Sequence, residues 1–520
     1  MSGNEGRSGA GVLARNVGSS WLAYGTTLVG LLLVTPHIIG AMGTQAYGIW
    51  VMLQSAAAFS GLLDLGFRSA VIRFVSRYEA AGDEDGVREN ATAGLLYFSM
   101  GGAVILTIGV VAAILVRKGI FQQVSPSLSA VVVVLSAVAA LNLPTSFFRG
   151  LLYARERIDL SNTVNMAGTV VKVALILLLV SGASSLLTLA WIELTYQLLL
   201  IGLMVFSTLF VYGRMPFRFS SVRWRTWLEM WRYGGFTLIN QLSVRAKESA
   251  PPLLIGSLLS AGQVPIFSIA ASMANYLAEI VTKIGGVLTP SISRLEGRGE
   301  LSTAAELVLG ANRLSVVLAG VLGVAVIGMG RPFLHIWLGP AFDESYWLLI
   351  VLVVGSVAGS AQMPTVAYFY GTGTHDRLVW LSLSEALLVV ALGAAGALAF
   401  GIQGVAVGVL VAGVVPRMII RPLIFCRLAH VSVRRFLGDY YTGLALFAVA
   451  ALLAESLSKW ALHVHSYFGV LLLGIIWGGG YALLLWVVFL RPEERAALLQ
   501  LVISGRRYLP RRMREAGRAR

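Results

Sequence analysis

About fourteen apolar stretches, each long enough to cross a bilayer, fill the chain between Asn16 and Leu490. A hydrocarbon core about 30 Å thick is crossed by roughly 20 apolar residues in an α-helix. GAVILTIGVVAAILV (102–116) is typical of these runs. They are continuous rather than alternating, which selects helices over strands. In lipid every backbone N–H and C=O must be satisfied internally, so only helices or closed barrels can span. With 57% hydrophobic and 12% charged residues and a mean hydropathy of +0.79, the composition lies far from that of soluble domains. The fold class expected is an all-α polytopic membrane protein. The single Cys426 excludes an intramolecular disulfide and supplies no metal cluster.

The net charge of +15 could suggest nucleic acid, but its distribution points to a membrane. Arg7, Arg15, Arg73, Arg77, Arg88, Arg155, Arg157, Arg214, Arg218, Arg223, Arg225, Arg232, Arg294, Arg298, Arg427, Arg434 and Arg435, with the basic C-terminal tail, fall in alternate loops. The opposite loops hold little beyond Arg117, Lys118, Arg331 and Lys459. Positive loops face the cytoplasm, so both termini are expected there, with an even number of spans.

The spans are expected near 16–40, 46–66, 93–116, 127–149, 163–181, 184–212, 236–258, 264–287, 311–335, 346–370, 378–399, 402–422, 438–458 and 466–490. A cytoplasmic tail (1–15) precedes an N-lobe of six spans (16–213). A polar, Trp- and Arg-rich connector (214–235) is expected as an amphipathic interfacial helix and hinge. A C-lobe of six spans (236–425), a two-span appendix (426–490) and a basic tail (491–520) follow. The lobes resemble each other. GTQAYGIW (43–50) matches GQVPIFSI (262–269), Arg73 and Arg77 align with Arg294 and Arg298, and Pro144-Thr145 meets Pro364-Thr365. The arginines stand about 221 positions apart and the other two matches have nearly the same offset, which argues for duplication. Six spans per copy predict two lobes related by a pseudo-twofold axis, with a cavity between them.

Ionisable residues inside spans cost about 2.5–3.5 kcal/mol each on insertion scales and therefore invite a functional reading. VRAKES in the seventh span carries Arg245, Lys247 and Glu248, with Pro251-Pro252 just beyond. Arg245 and Glu248 stand three apart and can share a helix face. Lys247 then points elsewhere, toward an aqueous cavity, and the Pro pair predicts a kink or break. Lys172 in the fifth span is a further cavity cation. Glu193 and Glu385 are isolated carboxylates, candidates for ion coupling or for hydrogen bonds between lobes. Glu279 and Lys283, four apart, read first as a self-neutralised pair, and Asp64 and Arg68 as another. Arg417 and Arg421 lie where their side chains could snorkel to the surface. Cations outnumber acids among the leading cavity candidates, which suits a phosphate-bearing head and suits a cationic drug badly. No Walker A, HExxH or nucleophile-elbow sequence is present, so an enzyme is not expected.

On GTQAYG (43–48), LLDLGFRSAVIRFVSR, PTSFFRGLLYARER (144–157) and HIWLGPAFDES (335–345), together with span number and orientation, the chain resembles the Wzx-type polysaccharide flippases of the MATE-like superfamily. The resemblance implies transfer of undecaprenyl-diphosphate-linked oligosaccharide across the bacterial inner membrane by alternating access. A polysaccharide polymerase and a chain-length regulator are implied partners, with proton or sodium coupling and no cofactor. By position it makes Arg245 and Lys247 headgroup contacts and Glu248 or Glu193 a coupling carboxylate. A multidrug exporter and a peptidoglycan-precursor flippase are the neighbouring alternatives. A glycan polymerase or ligase would carry a large outer loop, whereas no outer loop here exceeds about fifteen residues.

Overall fold

The computed structural model describes residues 2–118, 128–217, 223–374, 376–458, 460 and 464–496. The centre of the connector (218–222), Lys459 and the basic tail beyond 496 lie outside the described residues. The described elements are helical, in the order α1 (Ser2–Ala58), α2 (Leu65–Ala80), α3 (Glu84–Arg117), α4 (Leu128–Ala154), α5 (Ile158–Leu179), α6 (Leu186–Tyr212) and α7 (Trp224–Leu258). There follow α8 (Val264–Gly297), α9 (Leu301–Leu338), α10 (Ser345–Ser360), α11 (Met363–Gly371), α12 (Asp376–Gly413), α13 (Arg421–Leu428), α14 (Val433–Leu457) and α15 (Tyr467–Val488).

Among the described residues, eleven stretches are long and apolar enough to cross a membrane. Two of them, Gly18–Leu62 with 45 residues and Asp376–Leu428 with 53, each exceed one crossing. As unbroken helices, at about 1.5 Å per residue, they would measure roughly 68 and 80 Å. Each is broken by a glycine in a backbone region essentially closed to other residues, Gly43 at φ 83°, ψ 165° and Gly401 at φ 62°, ψ −147°. At the second break the two arms of α12 fold together. A Cβ at Gly404 would collide with the carbonyl of Gly396, and one at Gly396 with that of Gly404. Counting both double stretches and α7, whose charged VRAKES segment keeps it out of the purely apolar set, gives the fourteen crossings expected from the sequence.

One expectation is corrected. The helix does not break at Pro251-Pro252, because α7 runs through both. Proline's fixed φ is compatible with helix, and what is lost is two N–H donors. Residues 218–222 of the polar connector lie outside the described residues, and its remainder leads to the seventh span. From Trp224 the backbone continues as α7 into that span.

The chain divides into two compact units, Met1–Ile269 with Asp376–Pro416, and Ala270–His375 with Arg417–Arg520. In the first, α3 packs on α4, α4 on α6, α5 on α1 and α6, and α7 on α2 and α12. One apolar core gathers Phe67, Val71, Phe98, Phe147, Leu151 and Met204, seating α2 against α3, α4 and α6. A second gathers Ile38, Trp50, Leu135 and Ile192. In the second unit α9 is central, packed by α10, α11, α14 and α15. Large apolar side chains that remain exposed, such as Leu178, Phe210, Phe400 and Val487, belong on a lipid-facing surface. Between helices surrounded by lipid, close packing and interhelical hydrogen bonds replace the hydrophobic effect as the cohesive terms.

One repeat match acquires a structural counterpart. Thr145 and Thr365, each following a proline, are both fully buried. Each hydroxyl accepts an interhelical amide hydrogen bond, from Gln197 Nε2 at 2.8 Å and from Asn312 Nδ2 at 2.7 Å. The donors sit on α6 and α9, so the use of the threonine is repeated while its partner is not.

Candidate functional site

The seventh-span charges sort by helix face as their spacing requires. Arg245 Nη1 meets Glu248 Oε2 at 3.4 Å, one turn along α7. Lys247 diverges from that face and turns to α12, where its ammonium donates to Glu385 Oε2 at 3.1 Å and Ser382 Oγ at 3.2 Å. Ser382 and Glu385 stand three apart on α12, one above the other. The Glu385 side chain is 2% exposed and that of Lys247 16%. Glu385 is therefore not an isolated carboxylate; its cation arrives from another helix of the same unit. Pro251 and Pro252 lack the N–H groups that would otherwise donate to the carbonyls of Lys247 and Glu248 within the helix.

The fifth- and sixth-span candidates also meet. Lys172 Nζ lies 2.5 Å from Glu193 Oε2, and the ammonium stands 4.9 Å from the centroid of the Tyr196 ring. Glu193 and Tyr196 are one turn apart on α6, so carboxylate and π-face hold the cation from two sides. Glu193, like Glu385, is paired rather than isolated. The cations expected to hold a headgroup and the carboxylates expected to couple an ion are thus each other's partners.

The local pairs form as well. Lys283 and Glu279 meet at 3.2 Å on α8, both about half exposed. Asp64 and Arg68 stand 3.7 Å apart, and α4 joins them. Ser146 Oγ donates to Asp64 and accepts from Arg68 Nη1 at 3.3 Å. Arg417 lies in a π-helical turn, Val414–Ile420, and places its guanidinium against Gly359 of α10.

Two arginines escape the sequence reading. Arg149 on α4 donates to Asn165 Oδ1 on α5 at 3.3 Å. Arg313 on α9, 6% exposed, donates to Glu494 at 2.9 Å and to the Phe489 carbonyl at 2.7 Å. The available signal was a lone arginine within or beside an apolar run, masked in both cases by its position near a span boundary. Among the described residues no three His, Cys, Asp or Glu side chains converge as a metal site.

These features define a multi-pass, all-α membrane protein with paired charges inside its helices. The same fold occurs in solved structures. The chain superimposes on the inward closed lipid II flippase MurJ with a TM-score of 0.67, at 10% identity over 91% of this chain and 98% of that one. It superimposes on an inward-facing multidrug resistance MATE family transporter of the MOP superfamily with a TM-score of 0.62, at 16% identity over 79% and 96%. In sequence it is 20% identical over 483 residues to EpsK, an uncharacterized membrane protein of Bacillus subtilis (strain 168), covering 90% of this chain and 93% of that one. Residues 13–296, more than half of the chain, match the model of the polysaccharide biosynthesis protein family, and the chain belongs to that family.

Proposed function

We propose that the protein is a flippase that carries a lipid-linked oligosaccharide, joined through diphosphate to a polyprenol such as undecaprenol, across the bacterial inner membrane by alternating access. What carries this reading is the family match over residues 13–296 combined with cations held inside apolar helices of that same stretch, Lys172 and Lys247. Moving such a lipid means taking an anionic, sugar-bearing head through a layer that repels it. No bond is made or broken, so the protein supplies polar partners for the head while the tail stays in lipid.

The ion pairs suggest how transport is driven. Lys247, Lys172 and Arg245 are each balanced by a carboxylate at rest. A phosphate entering beside one of these cations competes for it, because an ammonium or guanidinium binds phosphate oxygens as well as carboxylate. The displaced carboxylate, Glu385, Glu193 or Glu248, is then compensated by a proton or a sodium ion, since an uncompensated buried charge is costly. Exchange of partners links cargo to ion. In this reading both termini face the cytoplasm, and a polymerase and chain-length regulator act on the cargo after it crosses.

The test is deletion of the gene in its host, followed by extraction of surface glycan and lipid-linked intermediates. Loss of one polysaccharide, with its lipid-linked unit trapped in the cytoplasmic leaflet, is the expected result. Intact polysaccharide with heightened sensitivity to cationic drugs would assign the protein to multidrug export instead.

A further inference from the structure

The two halves of the chain differ in their fourth and sixth spans. α10 ends at Ser360 and α11 starts at Met363, because Pro364 has no N–H for the Ser360 carbonyl and its ring crowds that oxygen. The matching Pro144 lies inside α4, which runs unbroken from Leu128 to Ala154. Two spans later the π-helical turn Val414–Ile420, with Pro416 inside it, separates α12 from α13. The sixth span of the first half, α6, is a regular helix from Leu186 to Tyr212. The π turn is also where the chain passes from one compact unit to the other, between Pro416 and Arg417. Helices bend sharply at prolines and at π turns, and π turns gather at functional sites.

Adjacent tyrosines on α14 serve both breaks. The Gln362 N–H turns to the Gly359 carbonyl, which leaves the Ala358 carbonyl to the Tyr440 hydroxyl, donating at 2.5 Å. The α-helical donor to the Met418 carbonyl would be the N–H of residue 422, a proline that has none. The Tyr441 hydroxyl donates there at 2.6 Å. Because the two donors are consecutive residues, the breaks lie side by side. Arg417 joins them as well: its guanidinium lies against Gly359, in the last turn of α10, where carbonyls give the helix end a partial negative charge.

Beyond the breaks, α11 and α13 hold each other. Tyr368 meets Phe425 edge-on, with 5.1 Å between ring centroids. Phe425 rests at 5.5 Å on Phe436 near the start of α14, an apolar contact with no directional bond to resist sliding. We propose that α11 and α13 form one block that turns on these two breaks during transport, with Tyr440 and Tyr441 as the positioning residues that set its resting angle. The block ends beside Arg427, Arg434 and Arg435, the cytoplasmic end by the distribution of charge. Hinges of this kind are a few residues at element ends that absorb the backbone change. The movement needs no particular cargo, and only its use in export rests on the flippase reading.

Cys426, the single cysteine of the chain, is buried in α13 and reports the position of the block. The experiment labels the purified full chain in nanodiscs with N-ethylmaleimide and follows the rate at Cys426 by intact mass. Y440F and Y441F should each raise that rate at least fivefold. P422A supplies the missing N–H, so P422A/Y441F should label within twofold of P422A alone, whereas P422A/Y440F should stay as fast as Y440F. A general packing defect would not be rescued by a donor on another helix, nor for one tyrosine only. Y441F within twofold of wild type, or P422A/Y441F as fast as Y441F, overturns the positioning role. In the host, P422A at normal protein level should lower polysaccharide export at least fivefold. Normal export together with the expected labelling overturns the part of the block in transport. Intact polysaccharide after deletion of the gene overturns the flippase reading, while the expected labelling still supports the hinge.

Discussion

Lys247 and Glu385 are 138 positions apart in the chain and 3.1 Å apart in the fold, with the carboxylate almost wholly buried. Removing one member of such a pair strands the other charge and costs about 3–5 kcal/mol, whereas replacing both by apolar side chains of similar size is often neutral. K247M and E385L alone should each lower the unfolding temperature of the detergent-solubilised protein, and the double variant should recover most of the loss. Equal destabilisation by all three would show that the pair is not the relevant contact.

Stability and transport should separate at Lys172–Glu193. The K172M/E193L double variant removes both charges and should fold with near wild-type thermal stability, yet reduce glycan export at least tenfold. Normal export at normal protein level would leave the pair a packing feature only.

Glu279 and Lys283 offer a contrast. Both are about half exposed, so without its partner the long Lys283 side chain is free to turn its ammonium toward the polar end of the helix. E279Q should leave unfolding temperature and export essentially unchanged. A severe loss of export in that variant would move the pair from the helix surface to the transport path.

Arg313 fastens the chain after α15 to α9, through Glu494 and the Phe489 carbonyl, and its guanidinium stands 4.5 Å from the centroid of the Phe489 ring. R313M leaves Glu494 without its cation and should release the segment around 489–496. Hydrogen exchange of those amides should accelerate well before global unfolding. Unchanged protection would mean that the segment is held by other contacts.

A side chain at Gly401 would force an ordinary residue into a region reserved for glycine, at a cost of about 1–3 kcal/mol. G401A should lower the unfolding temperature measurably, and G404L, which drives a side chain into the opposing backbone, should do so more strongly. Tolerance of both would argue that the arms of α12 are not closely apposed.

Much of this architecture is legible in the chain itself, and the reason is one-dimensional. Apolar runs of bilayer length need no tertiary information, so the crossings can be counted from residues alone. Arg245–Glu248, Glu279–Lys283 and Asp64–Arg68 are equally accessible, because three- and four-residue spacings fix neighbours on any helix. Lys172–Glu193 and Lys247–Glu385 are not. Their meeting depends on which face each helix turns toward another, and uniformly apolar helices carry almost no periodic signal of that choice. Glu193 and Glu385 therefore look solitary in sequence. Arg149 and Arg313 fall near span boundaries, where an arginine ordinarily reaches water, and only the packing of α4 and α9 shows them turned inward.

The distance along the chain between Lys247 and Glu385 also has a meaning during synthesis. At about 5–20 residues per second, the ammonium emerges from the ribosome on the order of 10 s before its carboxylate exists. The seventh helix must therefore enter the membrane carrying an unanswered charge, held meanwhile by the insertion machinery or by helices already in place. Correct assembly of this protein depends on a wait, and a truncation anywhere between α7 and α12 leaves that wait without an end.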